Sequence, residues 1–224
     1  MKPLEDRIWP IEQGQENWFR ARAGRPTASQ FSRIITAKGA DAGDWRSFAA
    51  ELVLESYKAG KGLSPEGSFQ GNRHTERGNV LEPLAREAFA EKMAKVGVEV
   101  IEVGFVTGQD DWAGCSPDAL VKNASGEFVA GLEIKCPDNG AFAHTIAHGL
   151  PDSYIQQVHG GMAITGLDYW YFATFQPNVP IQTKRIERDG YTAKLEDALG
   201  RFADYYLSVY PELYAAISGE EVSA

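Results

Sequence analysis

The sequence predicts one α/β (α+β) domain in which helices flank a central mixed β-sheet. Three observations carry this expectation. A chain of 224 residues, 43% hydrophobic and 24% charged, suits one sizeable core. Apolar residues recur at helical spacing early and late in the chain, with strand-like alternation between. The elements run as helices, a strand, a hairpin, a helix and two more strands, which is not an unbroken βαβ alternation. Within one domain, 1–224, the expected parts are a helical, arginine-bearing segment over 1–77, a core over 78–190 and a C-terminal helix over 191–218.

In order, residues 12–29 read as a short helix and a stop. Gln15 or Asn17 can cap it, Trp18 and Ala21 face inward, and Gly24 ends it. Arg20, Arg22 and Arg25 form the densest basic stretch, and Thr27 or Ser29 can cap a second helix to about Thr36. A helix start beside arginines is an anion site by its physics, although three arginines alone more often form a solvated face. After a loop at 37–44, Trp45, Phe48, Ala49, Leu52 and Val53 mark a helix. Residues 59–76 read as a long irregular stretch. A helix from Gly78 to about Lys95 carries a stripe of Leu81, Leu84, Ala85, Ala88 and Phe89, with Glu82 beside it. Such a glutamate is ordinarily a boundary residue in a salt bridge, unless its helix packs beside the hairpin. Residues 98–106 alternate as one strand. Residues 138–149 form a loop with a short helix carrying His144 and His148, spaced as zinc ligands on a helix can be. Thr145 stands where a metalloprotease needs glutamate, and no further ligand set is evident, so zinc is not expected. A helix over 151–165 places Tyr154, Ile155, Val158 and Met162 inward. Residues 168–175 and 180–188 form a strand pair around Gln176-Pro177-Asn178. A long amphipathic helix then runs from Tyr191, with Pro211 expected to kink or restart it.

The chemistry is densest at 112–136. Asp118 follows Pro117 at the start of an apolar run, Asn123-Ala-Ser-Gly126 is turn chemistry, and a second arm returns to Lys135. Alternation puts Glu133 and Lys135 on one face and Ile134 on the other. If Lys122 pairs with Glu127, Ser116 lies opposite Glu133 and Asp118 is diagonal on the same face. Two buried acids this close repel unless a cation sits between them, and an oxygen-rich set suits Mg²⁺ or Mn²⁺. Periodicity alone favours an ordinary hairpin with a solvated Glu–Lys face. The literal string Pro-Asp, turn, Glu-Ile-Lys favours the metal site.

The formal charge of −9 argues against a nucleic-acid partner, but residues 1–77 carry +2 and the remainder −11. A locally basic groove is compatible with that balance, because screening confines the field to roughly 10 Å. Two cysteines, Cys115 and Cys136, make no disulfide framework and read as small buried residues. No apolar run is long enough to span a membrane and no signal-peptide core opens the chain, so a cytoplasmic protein is expected. No Gly-rich phosphate loop or GxSxG elbow is present.

Pro117-Asp118 with Glu133-Ile134-Lys135 resembles the signature of the PD-(D/E)XK nuclease superfamily. Several strings stand in the right order around it: Glu12-Gln13-Gly14, Trp18, Arg22, Gly24, Thr27-Ala28-Ser29, Arg77-Gly78, Glu82, Cys115-Ser116, Gly131-Leu132, Cys136-Pro137 and Gln157-Val158. Together they resemble the phage lambda exonuclease family of viral-type alkaline exonucleases over most of the chain. That resemblance implies a PD-(D/E)XK nuclease core and 5′→3′ degradation of one strand of linear duplex DNA. It further implies Mg²⁺, with Mn²⁺ as a substitute, a homotrimeric ring, and a single-strand annealing protein that receives the 3′ overhang. It places the protein in a bacterial host, encoded by phage or prophage. By position, Asp118, Glu133, Glu82 and the Ile134 carbonyl would hold metal, and Lys135 would orient or deprotonate the attacking water. Arg22, Ser29, Ser116 and Gln157 would bind the DNA 5′-phosphate. One departure is that His74-Thr75-Glu76 fall where the family inserts an apolar wedge, and Thr75 is a poor wedge. The alternatives are a site- or structure-specific endonuclease of the same fold, and a nuclease-like DNA-binding module without activity.

Overall fold

The computed structural model describes residues 1–63 and 73–219, without the side chains of 73–76 and 79. The side chains of His74-Thr75-Glu76, where a wedge is expected, lie outside the described residues. The architecture is a mixed α/β fold with a five-stranded sheet at its centre. Its strands are β2 (Glu99–Ile101), β5 (Ala119–Lys122), β6 (Phe128–Lys135), β7 (Tyr169–Thr174) and β8 (Gln182–Glu187), hydrogen-bonded in that order. Only β6 and β7 run parallel. A parallel pair needs a long crossover, here α4 (Asn139–His148) and α5 (Asp152–Thr165). A smaller sheet joins β1 (Ile8–Trp9), β3 (Phe105–Thr107) and β4 (Gly114–Cys115).

The expected strand over 98–106 is therefore two strands, one in each sheet. The break falls at Gly104, where a Cβ would stand 1.8 Å from the Ile11 carbonyl oxygen. The N-terminal segment crosses too closely there for any side chain. Strands of two residues such as β1 and β4 are too short to produce a period-two signal.

Alternation along the strands divides the core. Ala119, Val121, Ala130, Leu132, Ile134 and Ala173 point to one face and bury Ala85, Phe89 and Met93 of α3 (Arg73–Ala94). Leu120, Trp170 and Phe172 point to the other, where α5, α2 (Trp45–Gly60) and α6 (Gly190–Ser218) pack. Each large apolar side chain fully buried here contributes about 1.5–3 kcal/mol. Helix α3 begins at Arg73, earlier than expected, and Leu84 lies 51% exposed, outside its buried stripe.

Helix α5 is buried on nearly every side, including Gln156 and His159. Gly161 lets it approach β7: a Cβ there would lie 2.6 Å from the Trp170 indole, which also covers Gly131 of β6. Helix α6 is capped by Asp189 and runs through Pro211 without restarting. The expected second helix is a 3-10 segment, Ala28–Arg33, in which Gln30 accepts the Thr27 backbone N–H. Among the described residues no helix is long and apolar enough to cross a membrane.

Candidate active site

The hairpin of β5 and β6 turns where expected. Asn123 Oδ1 accepts the N–H groups of Ser125 and Glu127, and Gly126 takes φ +81°. The register is not the expected one. Lys122 pairs with Phe128 instead of Glu127, and a bulge between Val121 and Lys122 shifts the ladder again. The two single-residue shifts add to two, so side chains keep their faces. Ala119 then pairs with Leu132, and the Asp118 N–H donates to the Leu132 carbonyl at 3.0 Å. Asp118 thus comes directly opposite Glu133, a position expected for Ser116.

Both acids are buried, at 9% and 3% exposure. Asp118 Oδ2 accepts the Ile134 N–H at 2.5 Å, and Glu133 Oε1 accepts from Lys135 Nζ at 2.5 Å. Burial, Glu133 and Glu82 hold the Asp118 carboxyl well above the usual carboxylate range. Burial also raises Glu133, against the pull of Lys135. Burial lowers the Lys135 pKa, but Glu133 and Asp118 more than offset this and raise it. In this state Lys135 is an ammonium, held also over the Tyr154 ring at 5.0 Å.

Glu82 meets both sequence readings. Helix α3 packs beside the hairpin, and Glu82 accepts from Arg86 at 2.7 Å, Arg86 also bridging to Glu102. Among the described residues no three His, Cys, Asp or Glu side chains stand together closely enough to complete a metal site unaided. Two buried carboxylates answered by one ammonium nonetheless fit a hard divalent cation. Mg²⁺ typically takes one or two protein carboxylates and fills the rest of its shell from solvent and phosphate.

The three arginines do three different things. Arg20 is exposed and bridges Glu16. Arg25 donates to the carbonyls of Asp111 and Ala21. Arg22 faces the cavity, its guanidinium 4.2 Å over the Trp18 ring. It donates to Ser116 Oγ at 3.0 Å and Thr27 Oγ1 at 3.2 Å. Among the described residues it has no carboxylate within 4.0 Å. Burial lowers its pKa to about 10, which leaves it charged at neutral pH. A half-buried cation held by neutral hydroxyls is a site for an anion. The adjoining 3-10 segment is short, so the guanidinium outweighs any helix dipole.

Ser116 joins the two halves. Its Oγ accepts from Trp18 Nε1 and from Arg22, each at 3.0 Å. Both lone pairs are used, so its O–H proton is what it has to offer. The Ser29 hydroxyl lies 3.3 Å from that of Thr27. Gln13 donates to the carbonyls of Val103 and Pro117 at 2.9 Å each and so braces the approach to Asp118. The supporting roles of Gln13, Trp18, Thr27 and Tyr154 were not anticipated. Gln13 was visible only as part of a motif and Trp18 only as that and an inward-facing residue, because their partners lie about 90 or more residues away.

One cavity of about 230 Å³ is lined by every residue singled out: Arg22, Ser29, Glu82, Ser116, Asp118, Glu133, Ile134, Lys135 and Gln157. A cleft of about 520 Å³ adjoins it and shares Gln13, Trp18, Arg22 and Glu82. A cleft of similar size near Trp9 and Phe128 holds none of the predicted residues. Cys115 and Cys136 are free, and burial raises their thiols to about 12 and about 11, so neither is a ready nucleophile. His144 and His148 stand on the exposed α4 with ring centroids 4.5 Å apart.

Known proteins share this fold. The alkaline exonuclease LHK-Exo of Laribacter hongkongensis, solved alone and in complex with dAMP, is 29% identical to this chain with a TM-score of 0.72. The match covers 92% of this chain and 100% of that one. A phage related exonuclease from Haemophilus somnus 129PT, 18% identical, shares the fold with a TM-score of 0.57 over 84% of this chain and 96% of that one. No curated protein sequence matches the chain. Residues 17–168 match the YqaJ-like viral recombinase domain, a span that contains every candidate site residue. On that match, over more than half its length, the chain belongs to the YqaJ-like viral recombinase family, the lambda-exonuclease type of alkaline exonuclease.

Proposed function

We propose that this protein is a Mg²⁺-dependent exonuclease that degrades one strand of linear duplex DNA from its 5′ end and leaves a 3′ overhang for recombination by strand annealing. The observation that carries the reading is the cavity itself. Buried acids short of a cation and a half-buried guanidinium short of an anion share its walls. Family membership and the names of the similar exonucleases support it.

Asp118, Glu133, Glu82 and the Ile134 carbonyl would hold Mg²⁺, with Mn²⁺ as a substitute. Bound there, the ion supplies charge neutralisation and a polarised water for phosphodiester hydrolysis. Glu82, bonded to Arg86 in this structure, would have to turn from it to join the other ligands. Lys135 keeps its proton on Nζ and orients the water or a phosphate oxygen by donation. Arg22, Ser29, Ser116 and Gln157 grip the 5′-phosphate, and a terminal phosphate carries more charge than an internal one. Because Ser116 belongs to the hairpin, a phosphate held by its hydroxyl is held in register with the acids. The grip then selects 5′ ends and sets the direction of travel. The helical part over 1–77 and the core over 78–190 act as one unit in this reading. A homotrimeric ring on DNA and a strand-annealing protein that takes the 3′ overhang complete the proposal by family resemblance.

The test compares closed circular with linearised plasmid, the latter with 5′-phosphate or 5′-hydroxyl ends. Degradation of linear duplex alone, faster from phosphorylated ends, is expected. Nicking of the circle would replace this reading with an endonuclease, and no cleavage of either would leave a DNA-binding module.

A further inference from the structure

One carboxylate beside the cavity has no part in the chemistry above. Glu55 stands on α2 and lines the adjoining cleft together with Arg22. Its Oε2 accepts the Gly24 N–H at 3.3 Å, in the turn that follows Arg22. That turn packs tightly against α2, where a Cβ at Gly24 would stand 2.7 Å from the Ser56 side chain. Glu55 is the carboxylate that acts most strongly on the Arg22 charge, yet the two are not in ion-pair contact. Glu51 and Lys58, about one turn to either side on α2, act on Glu55 more weakly than Arg22 does and with opposite signs. Burial raises the Glu55 pKa, as expected for an acid not fully neutralised by a partner.

A carboxylate is an odd neighbour for a pocket that only has to hold phosphate. Like charges across a partly desolvated cleft repel, and the bound phosphate bears that cost. An exonuclease, however, must release its grip after every cut. Ground-state affinity beyond what positioning requires lowers KM without raising kcat. We propose that Glu55 is a positioning residue that weakens the hold of Arg22 on phosphate, so that the 5′ end is gripped and let go at each step. This rests on the 5′-phosphate reading above.

Glu55→Gln separates charge from structure, since its amide oxygen can still accept the Gly24 N–H. Inorganic phosphate is the probe, read by calorimetry and as an inhibitor of linear-duplex digestion. We expect phosphate to bind Glu55→Gln roughly three- to tenfold more tightly than wild type. KM for 5′-phosphorylated duplex and kcat should fall together, with an unchanged melting temperature. Glu55→Ala should show the same tightening. Unchanged or weaker phosphate binding in both variants makes Glu55 a structural pin and overturns the proposal. Arg22→Ala separates the two levels. If it abolishes phosphate binding while Glu55→Gln fails to tighten it, only the role of Glu55 falls. If wild type binds phosphate no better than Arg22→Ala, the phosphate reading falls and takes this proposal with it.

Discussion

The two ends of the cavity pose opposite electrostatic problems and answer them with different side chains. At the hairpin end, Asp118 and Glu133 are buried together and Lys135 neutralises one charge. At the other, Arg22 is surrounded by hydroxyls and an aromatic ring. Neither end closes its own balance, and Ser116, two residues before Asp118 in the chain, bonds Arg22. The difference separates roles: a shortage of positive charge suits a metal ion, and a shortage of negative charge suits phosphate. A structural ion-pair network would have matched the two ends to each other instead of leaving each open.

The largest expected effect breaks the hairpin end. Glu133→Ala should lower Mg²⁺-dependent degradation of linear duplex by a factor on the order of 10³ or more, with circular dichroism unchanged. Near-wild-type turnover would remove the metal assignment. Next comes the other end. Arg22→Ala should raise KM for 5′-phosphorylated duplex roughly 10- to 100-fold while rates on 5′-hydroxyl ends change little. Steady-state kinetics on both end types decides this, and an equal loss on the two would show that Arg22 supports the fold instead.

The smallest effect is thermodynamic. The folded-state pKa of Asp118 is raised, so its contribution to stability is present below its unfolded value, about 4, and is lost as pH rises through the folded value. In chelator at neutral pH, Asp118→Asn should therefore melt higher than wild type, by roughly 3 °C for about 1 kcal/mol. Mg²⁺ should raise the wild-type melting temperature and do less for the variant. A variant that melts lower in chelator would show that the acid is already neutralised without metal.

Much of the fold was legible because its signals are local. The stripe Phe48, Ala49, Leu52 and Val53 lies buried on α2 as its spacing demands, and the strand pair after Asp168 forms β7 and β8. The face shared by Glu133 and Lys135 followed from alternation alone, and Asp118 was placed on it through an assumed register that was two residues off. What local pattern could not supply was closure. The register depended on a bulge that no residue type announces, and the break at Gly104 on an approach by Ile11 from far along the chain. The arginine stretch could not be divided into a surface bridge, a structural tether and a ligand-facing cation, because the partners that separate Arg22 from Arg25, Ser116 and Asp111, are distant in sequence.

From the residues in order came the identity of the reactive groups, the face they share and the order of motifs that the family carries. These depend on periodicities of 2.0 and 3.6 and on chemistry written into each side chain. Only the tertiary structure decided that Asp118 stands opposite Glu133, that Arg22 alone of its cluster lines the cavity, and that Glu55 looks on without touching it. Those outcomes turn on desolvation and on ångström-scale distances between segments far apart in the chain, and no local pattern encodes either.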